Sequence, residues 1–469
     1  MVSCAMLKLT NTLTGALEPF SPSDGVTVRM YTCGPTVHDF AHIGNFRTYI
    51  FEDVLRRHLK SKWKLLHVMN ITDIDDKIIR KSTEKGIDIR EYTAPYTAAF
   101  FEDSARLRIE KPEVITAATD YIPEMIDLVN RLLANGHAYR EGNSIYFRIS
   151  SFPAYGRLSR LDRRELKVGA RIDADEYEKE QPNDFVLWKG PKDDTEKRWE
   201  APFGTGRPGW HLECSAMAMK QLGETLDIHC GGVDNIFPHH ENEIAQSEAV
   251  TSKPFARFWV HGEHLLIENE KMAKSKGNFY TLRDLLEKGH SAQAIRYLLL
   301  SVQYRKQLNF STAGLEQAQR SLDRIKEFLF RLQTAKLTPG STGELMQAVT
   351  VAKSQLESGL DDDLNTAQAL AAVFDLIRTC NIALDKDQLR ADDRAAILAW
   401  FAEVDTRLAI IPTTDELASK DEEIESLIKQ RNDARRNRNF AESDRIRQQL
   451  LDRGIMIEDT REGTKWRRK

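Results

Sequence analysis

Val26-Thr27-Val28-Arg29-Met30-Tyr31, running into Thr32-Cys33-Gly34-Pro35, decides the fold class of this 469-residue chain. β-Branched and aromatic side chains dominate the first six residues, which therefore read as a strand ending in the Cys33-Gly34-Pro35 turn. His42-Ile43-Gly44-Asn45 then opens a helix expected to run through Leu59, with apolar side chains at 50, 51, 54, 55 and 59 at helical spacing. Trp63 to Ile71 reads as the next strand, and Thr72-Asp73-Ile74-Asp75-Asp76 as the start of another helix. Strand, helix, strand is the opening of a parallel α/β sheet.

The pattern weakens between about 110 and 205. That stretch holds a short strand candidate, Ser144 to Ile149, and a polar, loop-rich run from Arg157 to Asp194, as an insertion between two halves of a nucleotide fold would. The α/β rhythm resumes with a helix over Trp210 to Leu222, a strand over Thr225 to His229 and a helix over Pro238 to Ala249. It ends at the loop Lys271-Met272-Ala273-Lys274-Ser275-Lys276-Gly277-Asn278. Beyond about 312 the pattern is helical. Thr338 to Gly343 reads as a loop, Asn365 to Ile377 as an amphipathic helix and Ile410 to Asp415 as a boundary.

A chain this long exceeds one ordinary core, and about three or four domains is the natural expectation. Lys and Arg number 67 against 71 Asp and Glu, a formal charge of -4, so no global basic signal points to nucleic acid. A local one exists: residues 431–469 carry 12 Lys/Arg against 7 Asp/Glu. Five cysteines at 4, 33, 214, 230 and 380, odd in number and unpaired in spacing, fit a reducing compartment better than a disulfide scaffold. No apolar run approaches the roughly 18 residues that span a bilayer, and a soluble cytoplasmic protein is expected.

His239 and Glu243 lie one helical turn apart, so on a helix they project from the same side and offer half of a zinc site. Cys33 and Cys214 are candidates for the rest, since both fall near the C-terminal ends of parallel-strand units. His229 and His240 are rival ligands on the same reasoning. The bland alternative makes both cysteines small buried hydrophobes and the His-Glu pair a surface contact.

For nucleotide binding, Gly204 to Gly209 formally matches a dinucleotide glycine pattern. Glu200-Ala201-Pro202-Phe203 before it makes a poor central strand, and Pro208 restricts Arg207. His42 and Asn45 suit phosphate better. They sit at a helix start with Gly44 admitting close approach, where free backbone donors and the helix dipole favour an anion. Gly231-Gly232-Val233-Asp234 resembles the floor of a nucleotide pocket. Lys271 and Lys274, on a loop containing Gly277, are able to fold over a triphosphate.

His42-Ile43-Gly44-Asn45 and Lys271-Met272-Ala273-Lys274-Ser275 resemble the two signature elements of class I aminoacyl-tRNA synthetases. Thr32 to Val37, Gly209-Trp210-His211-Leu212-Glu213-Cys214-Ser215 and Phe237 to Glu243 are together similar to the cysteinyl-tRNA synthetase family, as is Arg438 to Trp466. The resemblance spans essentially the whole chain. It implies a Rossmann-like catalytic domain in two halves (1–110 and 206–311), a connective insertion (111–205), a helical bundle (312–404) and an anticodon-binding domain (405–469).

The resemblance further implies one Zn²⁺ on Cys33, Cys214, His239 and Glu243, preferring His239 to its rivals. The implied substrates are L-cysteine, bound through its thiolate, ATP with Mg²⁺, and tRNA(Cys), and a monomer is expected. His42, Asn45, Lys271 and Lys274 take the catalytic roles, with Lys274, Gly44, Gly232 and Asp234 around ATP. Trp210 and His229 are expected at the amino acid. Arg431, Arg435, Arg436, Arg438 and Trp466 are expected at tRNA. Asn45 stands where the general motif ends in histidine, and Ala273 where the lysine loop usually has serine. The competing readings are a ligase joining activated cysteine to an amino sugar, or a zinc-containing RNA-binding protein without catalysis.

Overall fold

The computed structural model describes residues 6–160, 184–191, 197–273, 276–412, 426–452, 455–460 and 463–468. The chain divides into two compact units, residues 1–318 with 354–372, and 319–353 with 373–469. The first unit is built on a five-stranded parallel sheet in the order Ala256–Gly262, Leu226–Gly232, Thr27–Thr32, Lys64–Ile71, Val114–Ala117. The chain lays down the Thr27, Lys64 and Val114 strands outward in one direction. It then returns to add the Leu226 and Ala256 strands on the other side. The order therefore reverses between Thr27–Thr32 and Leu226–Gly232, and the crevice beyond the strand ends there is where such sheets bind ligands.

The strands are buried on both faces, as a parallel sheet under helices must be. Val28, Met30, Val68, Ile228, Cys230 and Val260 are all inaccessible. The helix Ile43–Lys60 carries the expected stripe, burying Phe46, Ile50, Val54, Leu55 and Leu59. The expected helix at Thr72 starts later, as Asp76–Lys85 capped by Asp75, because Thr72 is bridged in parallel to Thr36 and continues the strand's pairing. Between the Val114 and Leu226 strands lies a four-stranded antiparallel sheet of Ala138–Glu141, Ser144–Phe147, Phe185–Lys189 and Arg207–Pro208. Much of the polar run expected between Arg157 and Asp194 lies outside the described residues.

Residues 354–372 join the first unit through buried acids. Asp361 pairs with His58 at 2.8 Å and Lys62 at 2.9 Å. Asp363 accepts from Thr10 N at 2.8 Å, Thr10 Oγ1 at 2.7 Å and Tyr304 Oη at 2.6 Å. In the second unit Arg331 reaches Asn381 and Asp385, both at 2.7 Å. Thr366–Asp385 is long and apolar enough to cross a membrane by length and composition alone. Further along, Ile428, Ile446, Leu450 and Ile455 form a small core of their own. The helical expectation fails at the end of this unit. Ile455–Thr460 and Gly463–Arg468 form an antiparallel hairpin, as the β-branched and aromatic residues Ile455, Ile457, Thr464 and Trp466 favour. The boundary expected at Ile410 to Asp415 runs into residues outside the described set.

Candidate active site and metal centre

The strand Thr27–Thr32 delivers Cys33 to the crevice, where its N–H donates to Cys230 O at 3.4 Å. Cys214 comes from the second turn of the helix Trp210–Leu222 and is buried. Its Sγ lies 4.0 Å from Cys33 Sγ. Two thiolates bound tetrahedrally to one zinc at about 2.3 Å sit roughly 3.8 Å apart. Glu243 occupies the first turn of the helix Glu241–Thr251. His239 lies in the turn Ile236–His240, kinked at Phe237, which is extended (φ -138, ψ 131). The regular helix thus starts three residues after the expected Pro238, yet His239 Nε2 and Glu243 Oε1 still meet at 2.9 Å.

Among the described residues Glu243 Oε1 has no hydrogen-bond partner despite that proximity. Its lone pairs and those of His239 Nε2 converge as two ligands of one ion do. Ligand atoms of Cys33, Cys214, His239 and Glu243 all lie within 4.8 Å of one another. A second quartet, Cys33, His229, His240 and Glu243, meets the same limit. Its histidines are differently employed. His229 Nε2 bonds Glu243 Oε2 at 2.9 Å, and His240 spans Cys33 Sγ at 3.3 Å and His261 Nε2 at 2.8 Å. His239 Nδ1 faces His211 Nδ1 at 2.8 Å, so the Nε2 turned toward Glu243 is the nitrogen it presents to the cluster.

Electrostatics separates the histidines. Burial pushes His240 and His211 well below the usual imidazole range, and His240 is further lowered by His229, His211 by His239. Burial, with His229, brings His261 down to about 3. Burial opposes protonation of His239 too, but Glu243 and Cys214 overcome it and raise the ring to about 10. Burial works to raise Glu243, and His229 and His239 outweigh it, bringing the carboxyl down to about 2. The contact with Cys33 lowers Cys214 to about 6. The contact with Cys214, with burial, pushes the Cys33 thiol well above its usual range, so Glu243 and Cys214 carry the negative charge of the cluster.

Trp210, 43% exposed, stacks on the His239 ring with centroids 4.1 Å apart. His42 caps the helix Ile43–Lys60: its Nδ1 accepts from Asn45 N at 3.2 Å, and Asn45 Oδ1 accepts from His42 N at 3.1 Å. A Cβ at Gly44 would lie 3.0 Å from Met272 Cε, so the two signature segments touch. Ile43 N–H donates to Tyr280 O at 2.9 Å, closing the second segment over the helix start. Lys271 is exposed on the short strand Glu270–Lys271, while Lys274 lies outside the described residues. Asn278 closes the loop, accepting from Ala273 N at 2.8 Å and donating to Lys271 O at 3.3 Å.

Gly232 ends the Leu226 strand, and a Cβ there would meet Asp234 Oδ1 at 2.3 Å. Asp234 itself is exposed in the turn that follows. In the second unit, Arg431 is buried and holds Asp459 with both Nη atoms at 2.6 and 2.7 Å. Arg435 reaches Asp459 at 2.5 Å, Arg436 pairs with Asp433 at 2.5 Å, and Arg438 is exposed. Trp466 pairs with Ile457 across the hairpin, and its side chain is outside the described set.

Sequence reasoning passed over His211, His261, Asn278 and Phe440. His211 carried a legible signal, three residues before Cys214 in the first turn of the same helix. His261 carried none, because its neighbours His240 and Thr12 meet it only across the sheet. Phe440, 62% exposed at the start of the helix Phe440–Asp452, was an aromatic inside a basic run.

Parallel sheet, reversed strand order and two signature segments in contact at the switch point define a class I aminoacyl-tRNA synthetase catalytic core. Residues 19–320 match the family described as tRNA synthetases class I (C) catalytic domain, 356–404 the DALR domain, and 419–467 the cysteinyl-tRNA ligase anticodon binding domain. The cysteine--tRNA ligase of Solibacter usitatus is 50% identical over 99% of this chain and 100% of its own length. That of Koribacter versatilis is 47% identical with the same two coverages, 99% and 100%. Mycobacterium tuberculosis methionyl-tRNA synthetase, solved with methionyl-adenylate, shares the fold at TM-score 0.58 and 14% identity, over 82% of this chain and 88% of its own. The chain belongs to the cysteinyl-tRNA synthetase family.

Proposed function

We propose that this enzyme activates L-cysteine with ATP and transfers it to the 3′-terminal adenosine of tRNA(Cys), acting as a cytoplasmic monomer. The observation that carries the reading is the cluster of half-buried Cys33 with buried Cys214, His239 and Glu243, walled by Trp210, beside the capped start of the Ile43–Lys60 helix. The donor set, two thiols, an imidazole and a carboxylate, fits zinc. Zinc held there would supply a soft Lewis-acid centre with high affinity for a thiolate and little for the far less acidic serine hydroxyl.

In activation, the cysteine carboxylate attacks the α-phosphorus of ATP and pyrophosphate leaves. In transfer, the 2′-hydroxyl of the terminal ribose attacks the adenylate carbonyl and AMP leaves. His42 Nδ1 accepts a backbone proton, which places the proton of a neutral ring on Nε2 as a donor to phosphate oxygen. Asn45 adds its amide, and Lys271 and Lys274 offset charge on the departing pyrophosphate. Gly44 and Gly232 let the nucleotide approach backbone, and Asp234 accepts from the ribose. Mg²⁺ accompanies ATP on phosphate and water ligands. His229 acts on the amino acid site through Glu243. Arg435, Arg436 and Arg438, with Trp466, serve tRNA, and Arg431 does so by holding their scaffold. The working division is 1–110 and 206–311 for catalysis, 111–205 as insertion, 312–404 as bundle and 405–469 for the anticodon.

ATP–pyrophosphate exchange with cysteine and with serine, run beside tRNA charging, tests the proposal. Cysteine-specific exchange together with charging is expected. Exchange without charging would move the assignment to an amino-sugar acceptor, and no exchange with either amino acid would overturn it.

A further inference from the structure

Arg47 lies two positions after Asn45 on the helix Ile43–Lys60 and is 2% exposed. Among the described residues its guanidinium meets no carboxylate and donates to four carbonyls of one segment. These are Leu299 O, Val302 O and Gln303 O, the last two at 3.0 Å, and Lys306 O at 3.4 Å. Leu299 stands in the last turn of the helix Ala292–Leu300, where carbonyls lack partners within the helix. Arg47 Nε is buried with no hydrogen-bond partner among the described residues. Burying a cation without a counter-charge is unfavourable, and an apolar side chain of similar volume would avoid that. What only the guanidinium supplies is a rigid fork of donors, able to grip several carbonyls at once.

The gripped segment carries the support of the lysine loop. Tyr304 O accepts from Glu263 N at 2.8 Å. Just beyond Lys306, the strand Leu308–Phe310 pairs in parallel with Leu265–Ile267, which pairs antiparallel with Glu270–Lys271. The register sets Asn309 beside Leu266, and Leu266 beside Lys271. A path from the His42–Asn45 cap to Lys271 thus runs along one helix, through one guanidinium and across three short strands. Other ties hold the neighbourhood without Arg47. Arg296 Nη2 meets Asp53 Oδ2 at 2.5 Å, with both side chains inaccessible, and anchors the Ala292–Leu300 helix. Asp363 takes the Tyr304 hydroxyl at 2.6 Å. Removing Arg47 should therefore release the backbone of the segment rather than unfold it.

We infer that Arg47 is a positioning residue: it fixes residues 299–306 and, through the Leu308–Phe310 strand, sets Lys271 against the His42–Asn45 helix start. The inference rests on the reading of Lys271 as acting on the departing pyrophosphate. Full-length wild type, Arg47→Met, Arg47→Lys, Lys271→Ala and the Arg47→Met, Lys271→Ala double variant test it. Each is assayed for single-turnover adenylation and for the KM of cysteine. Amide hydrogen exchange is followed in the same proteins over 265–271 and over the central strand Leu226–Gly232.

Arg47→Met should lose about 10- to 100-fold in adenylation rate, the scale of an ångström-sized misplacement, with the KM for cysteine unchanged. Arg47→Lys, which reaches part of the carbonyl set, should lose less. Once Lys271 is alanine, the Arg47 change should cost less than about threefold more, because residues on one path are not additive. Amides over 265–271 should exchange faster in Arg47→Met, and those of Leu226–Gly232 at the wild-type rate. A wild-type adenylation rate in Arg47→Met would overturn the inference. So would additive losses in the double variant, unchanged exchange over 265–271, or faster exchange in both regions alike. If Arg47→Met does not fold, Arg47→Lys alone and with Lys271→Ala is read the same way. A wild type without cysteine-dependent adenylation, or Lys271→Ala as fast as wild type, would count against the proposed function; amide exchange would still decide whether Arg47 fixes the Lys271 strand.

Discussion

His229 holds Glu243 by one carboxylate oxygen: His229 Nε2 lies 2.9 Å from Glu243 Oε2, which leaves Oε1 turned to His239. His229 is fully buried between Trp259, stacked at 4.7 Å, and the carboxylate it orients. Its contribution is therefore to ligand direction. His229→Ala should weaken Zn²⁺ retention about 10- to 100-fold and raise the KM for cysteine before that for ATP. His229→Gln, which can keep a donor near Oε2, should fall between. Metal content after dialysis against a chelator, measured beside the two KM values, decides it. Undiminished zinc in His229→Ala would show that Glu243 orients itself.

Glu243→Gln acts on the same contact from the other partner. It keeps the shape and removes the charge that offsets a divalent ion, so zinc and selection against serine should fail together while ATP affinity persists. Loss of ATP binding in parallel with zinc would mean that the variant disturbs the sheet rather than the cluster.

The sheet was legible because its strands announce themselves locally: Thr27–Thr32 and Lys64–Ile71 fall within a residue or so of the stretches read from β-branched content. The four metal-site candidates were legible as chemistry, but their meeting was not. Spacing of four places His239 and Glu243 together on a helix, and the structure makes that contact just past a kink at Phe237. Periodicity also assigns a charged residue to the exterior by default. That rule hid Glu52 and Glu213, both buried, and it made Arg431 a surface cation when its guanidinium is an internal clamp. Such exceptions are set by long-range partners, which no local window contains.

The lysine loop gives a prediction about shape. Asn278 ties both ends of the Lys271–Ala273 segment, and its removal should misplace Lys271 without touching the metal cluster. Asn278→Ala should cut the exchange rate roughly 10- to 100-fold, the scale of an ångström-sized misplacement, with the KM for cysteine little altered. Ala273→Ser adds one hydroxyl, and a single neutral hydrogen bond is worth about 1 kcal/mol, so the gain should stay below about tenfold. Single-turnover adenylation measures both. A larger gain from Ala273→Ser would show that the alanine is a catalytic deficit.

Glu52 supplies a pH prediction. Both its carboxyl oxygens are buried without a hydrogen-bond partner among the described residues, and burial holds the group well above its ordinary 4.5. A folded-state acid with a raised pKa keeps its proton while the unfolded chain loses it. Stability therefore falls as pH rises from about 4.5 toward the folded value, and is least impaired below 4.5. Glu52→Met should stabilise the catalytic unit by about 1–3 kcal/mol near neutrality, the usual cost of an unmet buried polar group. Denaturation midpoints at pH 5 and pH 8 test the sign: the advantage of the variant must widen with pH. A constant gap would mean that the folded carboxyl is already ionised at pH 5, as it is in the unfolded chain.

The basic run at 431–438 separates into scaffold and contact. Arg431 is buried against Asp459, while Arg438 is exposed, in a left-handed conformation (φ 57), two residues before the exposed ring of Phe440. Arg431→Ala leaves Asp459 without its clamp. Since Asp459 is 43% exposed, water offsets part of the loss, and roughly 1–2 kcal/mol of the hairpin's stability should go. Charging would then drop through disorder, with a lowered melting point. Arg438→Ala keeps the same backbone demand and should leave melting unchanged. It should weaken tRNA binding and reduce the salt slope by about 0.7, as the loss of one phosphate contact on a single strand does. Thermal melting beside tRNA affinity at two salt concentrations distinguishes the two. An Arg438→Ala protein with wild-type affinity and slope would remove Arg438 from the interface, and an Arg431→Ala protein that melts normally yet binds poorly would put Arg431 there instead.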